Sequence, residues 1–505
     1  MATFPQTSAA NQPPPLAGHD LFVQNRPLAE ALEREGAGWA AERCSTFGRE
    51  LSGEPLEWAR LANEHPPTLH GDEVEFHPAW HALMRMSRSY DVHAERSEVA
   101  RAVLFYLASQ VEAGHGCPLS MTHAAIPLAP EWEWQLRSPG YDPELRPLAE
   151  KESLGFGMAM TERQGGSDVR ANTTTATPAD GGYVLDGHKW FCSAPMSDAF
   201  LVLAQAPAGL SCFLLPRVLP DGTRNGFHIQ RLKDKLGDRS NASSEIELHG
   251  AWATLVGEEG RGIRTIVQMI VATRLDCVVG TAAGMRQAVE HATHHAAHRS
   301  AFGKPLVDQP LMANVLADLC VESEAATVTA LRLARAFEQG ETAFARIATP
   351  VAKYWVCKRG PAHAAEALEC IGGNGYIEES GLPRLYRQQP LQSIWEGSGN
   401  VQCLDVLRAL DREPETADAF LAELEQPFRA DAERALRGAD EPGARRLVER
   451  LAVALQGSLL ARHAPHPVAD AFGARAGSAY GTLPPGLDSR SIIDRNLPIV
   501  ELTSA

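Results

Sequence analysis

The 505-residue chain contains no C-x-x-C pair, and its cysteines do not form an even, regularly spaced set. The nine (Cys44, Cys117, Cys192, Cys212, Cys277, Cys320, Cys357, Cys370 and Cys403) are scattered and odd in number, which argues against a disulfide framework or structural zinc and fits a reducing cytoplasm. No segment reads as the ~20 consecutive apolar residues that a bilayer-spanning helix needs. The opening Met1-Ala2-Thr3-Phe4-Pro5-Gln6 has neither a basic start nor an apolar run. The expectation is a soluble, untargeted, cytoplasmic protein with no membrane contact. Positive charge is also short. Against 63 Asp and Glu there are 47 Lys and Arg, a net charge of −16, so binding to nucleic acid or anionic lipid would need a local basic patch. There is no internal repeat.

What is present divides by texture, and the length predicts about three or four units. Residues 1–20 are rich in Pro, Ala, Asn and Gln, and Pro13, Pro14 and Pro15 favour an extended arm. From about Leu28 to Ala125 the pattern is helical. Val99, Val103, Tyr106, Leu107 and Gln110 fall on one side at helical spacing. A proline-rich loop covers 126–152. Short runs such as Phe200-Leu201-Val202-Leu203 and Cys212-Phe213-Leu214-Leu215, broken by Gly, Pro and Asp, then predict an antiparallel β domain. Long helical segments near 262–297, 310–339 and 343–371 predict a four-helix bundle. The reading is an α+β multidomain chain. It comprises an N-terminal arm and α domain (1–155), a β domain (156–258), an α bundle (259–410) and a further, mostly α region (411–505).

Five clusters carry candidate chemistry. Met160 to Asp168 has two glycines, for close backbone approach, between the hydroxyls of Thr161 and Ser167; alone it reads equally as an ordinary loop. In Gly187 to Pro195, Trp190 and Phe191 stand beside Ser193 and could wall a planar heterocycle, or simply be core. Arg299-Ser300-Ala301-Phe302-Gly303, with Gln309 and Pro310 beyond it, offers a planar donor fork suited to pyrophosphate, or a solvated helix end. Gly372-Gly373-Asn374-Gly375 follows a helix rather than a strand, so it is no Rossmann fingerprint; a helix stop is its bland reading. In Ile394-Trp395-Glu396-Gly397-Ser398-Gly399-Asn400 a carboxylate stands between apolar bulk and a Gly-rich turn into a helix. Those surroundings favour a raised pKa and a helix start open to phosphate. His291, His294, His295 and His298 share a helical face, but no carboxylate there completes a metal site, and none is expected. Glu162 and Glu369 could pair as acid and base, though nothing in the sequence brings them together.

In order and spacing these clusters resemble the acyl-CoA dehydrogenases over about residues 30–410, and within them the AidB branch, flavoproteins associated with the adaptive response to DNA alkylation. Arg34 to Trp39, Leu232 to Gly237, Arg239 to Ala242 and Leu404 to Arg408 add to the match. The resemblance implies FAD, an acyl-CoA-type substrate and a homotetramer. By it Thr161 and Ser193 contact the flavin, and Ser167 lies near the flavin and the acyl-thioester end of the substrate. Arg299 and Phe302 hold the diphosphate of a neighbouring subunit's FAD, with Gln309 near the adenine side. Gly372, Gly373, Ser398 and Asn400 line the ADP half. Glu396 is the base that removes the α-proton while hydride passes from the β-carbon to flavin N5. The N–H of Glu396 and a ribityl hydroxyl polarise the thioester carbonyl, and Arg274 orients or stabilises the carboxylate.

Three departures accompany the resemblance. Glu369 stands where many relatives have Gln. Thr273 occupies the position of the isovaleryl-type base, which leaves Glu396 in that role. Residues 411–505 extend beyond the ordinary dehydrogenase, and in the AidB branch such a region is associated with double-stranded DNA. The alternative function is thus a DNA-associated flavoprotein protecting against alkylation, with dehydrogenation secondary. Residues 412–505 hold eleven Arg, no Lys and fourteen acids, and Arg434, Arg437, Arg445, Arg446 and Arg450 form a candidate stripe. A helix laced with surface ion pairs is the competing reading.

Overall fold

Proline opens several helices, where its missing N–H leaves no bond unmade. The computed structural model describes residues 11–475, 477 and 479–500. In it α1 (Arg26–Arg34), α2 (Ala41–Leu51), α3 (Pro55–Glu64) and α4 (Pro78–Ser89) lead to α5 (Glu98–Val111), α6 (Gly116–Ala125) and α7 (Glu133–Leu136). Pro27, Pro55 and Pro78 sit in first turns. The sequence reading gave the α5 segment one apolar side, but thirteen of its fourteen residues are buried. The reason is position: α1, α2, α3, α6, α8 (Gly262–His298) and α9 (Pro310–Glu338) all pack around it.

A small hairpin, β1 (Thr68–His70) with β2 (Glu73–Glu75), precedes the main sheet. That sheet has seven strands: β3 (Phe156–Ala159), β4 (Thr175–Ala179), β5 (Gly182–Ser193), β6 (Ala199–Ala206), β7 (Gly209–Pro216), β8 (Phe227–Leu232) and β9 (Ser243–Val256). Its order is β3-β6-β4-β5-β9-β7, with β8 on β9, and β7 returns to pair with β6, closing the sheet on itself. It is not wholly antiparallel as expected, because β3 and β4 both run parallel to β6.

The bundle is α8, α9, α10 (Thr342–Cys370), α11 (Leu382–Gln392) and α12 (Gly399–Arg412). Between α8 and α9 the chain makes a two-strand hairpin, β10 (Ser300–Ala301) with β11 (Lys304–Pro305). One correction concerns hydropathy. An 18-residue window of α8 reaches a mean hydropathy of 1.5, apolar enough to cross a bilayer, but 67% of it is buried among other parts of the chain, as befits a core helix. All nine cysteines are free.

Beyond the bundle lie α13 (Glu415–Ala422), α14 (Phe428–Leu436), α15 (Ala444–His463), α16 (His466–Ala474) and α17 (Ser489–Asn496). Helix α15 packs on α9, α10 and α12, and α17 on α8 and α9. Ion pairs hold this region to the bundle: Arg475 to Asp318 (2.9 Å) and Glu322 (3.1 Å), and Arg495 to Glu324 (3.1 Å). The outer residues of the expected N-terminal arm and of the final region, 1–10 and 501–505, lie outside the described residues.

A buried pair joins the N-terminal helices to the bundle. Arg101 on α5 donates to both carboxylate oxygens of Asp276 on α8 at 2.7 and 2.8 Å, and Ser120 on α6 adds a third donor at 2.6 Å. Removing one partner of a buried pair strands the other charge. Arg101→Met should therefore lower stability by about 3–5 kcal/mol in urea unfolding, while Arg101→Met with Asp276→Leu should recover most of that loss.

Candidate active site

Glu396 lies in the turn between α11 and α12, with its backbone in the left-handed region at a φ of 56°. That region is unfavourable for a residue with a Cβ, so neighbouring contacts must hold it. The next residue is Gly397 at a φ of 100°, where an added Cβ would stand 2.7 Å from Gln402 Nε2. Three carbonyls in succession are captured by side chains. Lys353 on α10 donates to Trp395 O and Gly397 O, both at 2.6 Å. Arg274 on α8 donates to Glu396 O at 2.9 Å, and Gln402 on α12 donates to Glu396 O at 3.0 Å and Gly397 O at 2.9 Å. The N–H of Glu396 has no acceptor among the described residues.

The carboxyl itself meets Thr273, whose hydroxyl donates to Glu396 Oε2 at 2.8 Å. Burial pushes the Glu396 carboxyl above the usual carboxylate range, against the lowering effects of Thr273, Lys353 and Arg274. Arg274 acts on this carboxyl through charge rather than through a direct bond. Its guanidinium holds the backbone oxygen of Glu396 and pairs with Asp405 at 2.7 Å, while Thr273 makes the direct bond to the carboxylate.

Across the cleft lies the sheet. Trp190 N donates to Thr161 O at 2.8 Å, and Gly166 packs on the Thr161 side chain, so the first two clusters form one wall. Glu162 anchors that wall as a structural ion. It pairs with Lys189 at 2.7 Å and accepts the N–H groups of Thr173 (2.7 Å) and Thr174 (3.2 Å), which hold its carboxyl down to about 2. It is buried there while Glu369 is exposed on α10, so the two form no acid–base pair. Trp190 is less open than expected. The Lys233 ammonium stands 3.5 Å from its ring centre and the Arg163 guanidinium 5.2 Å, and the same ammonium lies 4.6 Å from the ring centre of Phe191, which is 52% exposed. Ser167 is exposed and Ser193 half-buried. Cys117 links the two sides. Burial pushes its thiol up to about 12, with the Ser193 hydroxyl close enough to lower it and Glu396 close enough to raise it.

The remaining candidates lie further out. Phe302 is 98% exposed at the tip of the β10–β11 hairpin, in the left-handed region with Gly303. The Gln309 amide is engaged by that hairpin, donating to Ala301 O at 2.8 Å, and Arg299 donates to Asn11 O at 2.9 Å. Gly372 and Gly373 have no atom within 4 Å of where a Cβ would stand, an open backbone approach. Ser398 is the N-cap residue of α12 with its hydroxyl uncommitted to the cap, and Asn400 accepts from Arg445 Nε at 2.8 Å. In donor chemistry, the hydroxyls of Thr161, Ser193 and Ser398 and the open glycine bend suit a planar ring with a phosphate-bearing tail.

The histidine face serves packing: His294 meets Pro14 O at 2.8 Å, and burial lowers His291 and His295 to about 4. Two of the five stripe arginines meet an acid, and arginines flanking the stripe do likewise. Arg434 and Arg450 both pair with Asp431, Arg429 with Glu433, and Arg462 with Glu423 and Glu425. Arg445 is held by Asn400, and among the described residues only Arg437 and Arg446 of the stripe have no such bond. Ion pairs thus account for part of the stripe, and among the described residues three of its five arginines have no acid partner. Sequence reasoning missed Lys353, Gln402 and Asp405; the one visible signal was a lysine inside the apolar run of α10.

Comparison with known proteins agrees with this geometry. Residues 11–143 match the family model "Adaptive response protein AidB N-terminal domain", residues 157–251 the acyl-CoA dehydrogenase middle domain, and residues 260–410 the acyl-CoA dehydrogenase C-terminal domain. The chain is 49% identical over 433 residues to the putative acyl-CoA dehydrogenase AidB of Escherichia coli K12, covering 80% of each. It is 30% identical over 448 residues to acyl-CoA dehydrogenase family member 11 of Caenorhabditis elegans, covering 80% of this chain and 72% of that protein. Among solved structures, that of Caenorhabditis elegans ACDH-11 in complex with C11-CoA aligns with a TM-score of 0.82 at 26% identity, over 98% of this chain and 93% of that one. On its matched domains and its identity to these relatives, the chain belongs to the acyl-CoA dehydrogenase family, in the AidB branch.

Proposed function

We propose that the protein is an FAD-dependent acyl-CoA dehydrogenase in which Glu396 is the general base. One observation carries the reading: a carboxyl raised by burial sits beside an unpaired backbone N–H on the same residue. A thioester carbonyl accepting the Glu396 N–H would place its α-carbon next to that residue's carboxylate. The donor stabilises the enolate-like charge that develops as the carboxylate takes the proton. Thr273 holds the carboxylate in place. FAD, when bound, supplies the acceptor for the β-hydride. Thr161 and Ser193 would meet its ring, Ser167 the ring and the thioester end, and Gly372, Gly373, Ser398 and Asn400 its ADP half.

The proposed substrate class is suggested by the apolar residues near Thr273 and by one structural neighbour. A second apolar cluster contains Met121, Ile266 and Met269, with Met158, Met160, Ile270 and Ala272 packed against it, and it adjoins Thr273. Flexible thioethers suit an acyl chain. The ACDH-11 neighbour bound to C11-CoA supports a fatty acyl-CoA of similar kind.

We further propose self-association as a homotetramer. The support is Phe302, fully solvent-facing on a strained turn beside Arg299, poised to complete a neighbouring subunit's dinucleotide site.

Glu396→Gln should keep FAD and the flavin spectrum yet slow substrate reduction of the flavin by at least ~10²–10⁴-fold, the range of general-base catalysis. Stopped-flow absorbance checks it; parent-like reduction overturns the base assignment. The base must be ionised to accept a proton, so kcat should fall as pH drops through the raised Glu396 pKa. That acid limb should lie above the ordinary carboxylate range. Thr273→Val removes a bond that favours the ionised form and should move the limb to higher pH, read from kcat against pH. Phe302→Ala should weaken assembly and FAD retention together, by sedimentation velocity and released flavin fluorescence; an unchanged assembly that holds FAD as tightly as the parent rejects the hairpin's role.

A further inference from the structure

We propose that Lys353 is a positioning residue for Glu396, its ammonium bridging the carbonyls on either side so that the Glu396 carboxyl and N–H face the cleft together. The inference rests on reading Glu396 as the base.

Lys353 is 1% exposed, deep in α10. Removing an ammonium from water costs several kcal/mol unless partners replace the lost hydration. Among the described residues it forms no ion pair; its hydrogen-bond partners are Trp395 O and Gly397 O, each at 2.6 Å. A lysine placed only to fill volume would be replaceable by an apolar side chain of the same length, and burying its charge would be pure cost. This one bonds the carbonyls of the two residues on either side of the candidate base and, among the described residues, no other group.

The geometry of the turn explains what that bridge does. Carbonyls of three successive residues point at side-chain donors, from Lys353, Arg274 and Gln402. A peptide whose C=O is drawn one way sends its N–H the other way, because the amide is planar and trans. Drawing Trp395 O toward α10 therefore directs the Glu396 N–H away from α10. Holding Gly397 O on the same cation fixes the far side of the turn. Between them Glu396 is kept at its left-handed φ of 56°, a conformation that an unconstrained Glu would leave. Arg274 and Gln402 hold the middle carbonyl, but Lys353 alone spans both flanking ones.

The ammonium also bears on charge. The groups around the carboxyl are Lys353 from α10, Arg274, Asp276, Cys277 and the Thr273 hydroxyl from α8, Cys117 from α6, and Asp405 from α12 through Arg274. Lys353 favours ionised Glu396, and its loss disfavours it.

The test compares Lys353→Met, isosteric but without donor or charge, with the parent holoenzyme. FAD absorbance should persist. Amide exchange across Trp395–Gly397 should quicken at least ~10-fold as the turn loosens. kcat should drop by about 100-fold with KM little changed, as misplacement of a reacting group does, and the acid limb of kcat should move to higher pH. Parent-like exchange in the turn, or kcat within threefold of the parent, overturns the proposal. Lost activity with an unmoved acid limb and an unloosened turn also overturns it, by assigning Lys353 a merely structural part. If Lys353→Met does not fold, Gln402→Ala removes donors to Glu396 O and Gly397 O from the same turn. It should loosen exchange and lower kcat, with the acid limb unmoved because no charge is lost; a parent-like turn sinks the clamp. Failure of the base assignment itself shows separately, as retained activity in Glu396→Gln.

Discussion

Everything at the site depends on how one short turn holds its peptides. A carboxylate meant to take a proton from carbon must be partly desolvated, or it is too weak a base; yet a desolvated carboxylate on a loose loop would swing toward water. Trp395, Glu396 and Gly397 resolve this through their carbonyls. Donors from α8, α10 and α12 take all three, so the turn is fixed by elements that are themselves packed in the bundle. The carboxylate is left to Thr273, and the Glu396 N–H has no acceptor among the described residues. The strain at Glu396 is local and small beside the packing of three helices, which is why it can persist.

The same logic, buried charge at a seam, recurs wherever units of the chain meet. Arg101–Asp276 joins the N-terminal helices to the bundle, Lys151–Asp198 joins the loop after α7 to the sheet, and Glu162–Lys189 ties the glycine loop to β5. Such pairs are weak sources of net stability, since desolvation offsets attraction, but each is costly to break. They fix register between surfaces that apolar packing alone would allow to slide. Asp198 shows the tension: burial pushes its carboxyl up to about 6 even with the Lys151 ammonium at 2.6 Å.

The last hundred residues follow this pattern too. Their arginines mostly face acids, either within the region, as with Asp431, or across to the bundle, as with Arg475 on Asp318 and Glu322. Charge used this way fastens the region to α9. Arg445 reaches Asn400 at the start of α12, so this region also touches the edge of the candidate dinucleotide site.

By itself the sequence determined the order of helical and strand-rich parts, because period and breakers are local properties. The three long bundle helices fall within a residue or so of their expected bounds. It also exposed the glycine and hydroxyl clusters, each ambiguous alone and informative in their order, and Glu396, a carboxylate set in apolar surroundings. Tertiary structure alone decided which donors hold that carboxylate and the carbonyls of its turn. Thr273, Lys353 and Gln402 lie 123, 43 and 6 positions from Glu396 in the chain, and no local pattern distinguishes a lysine that bridges two distant carbonyls from one that snorkels to water. It likewise decided that α5 is buried all round, that Glu162 is an anchor rather than an acid, and that Arg434 and Arg450 of the arginine stripe share Asp431. Each is a fact about what packs against a residue, and partners brought together by folding leave no mark on the spacing of the residues themselves.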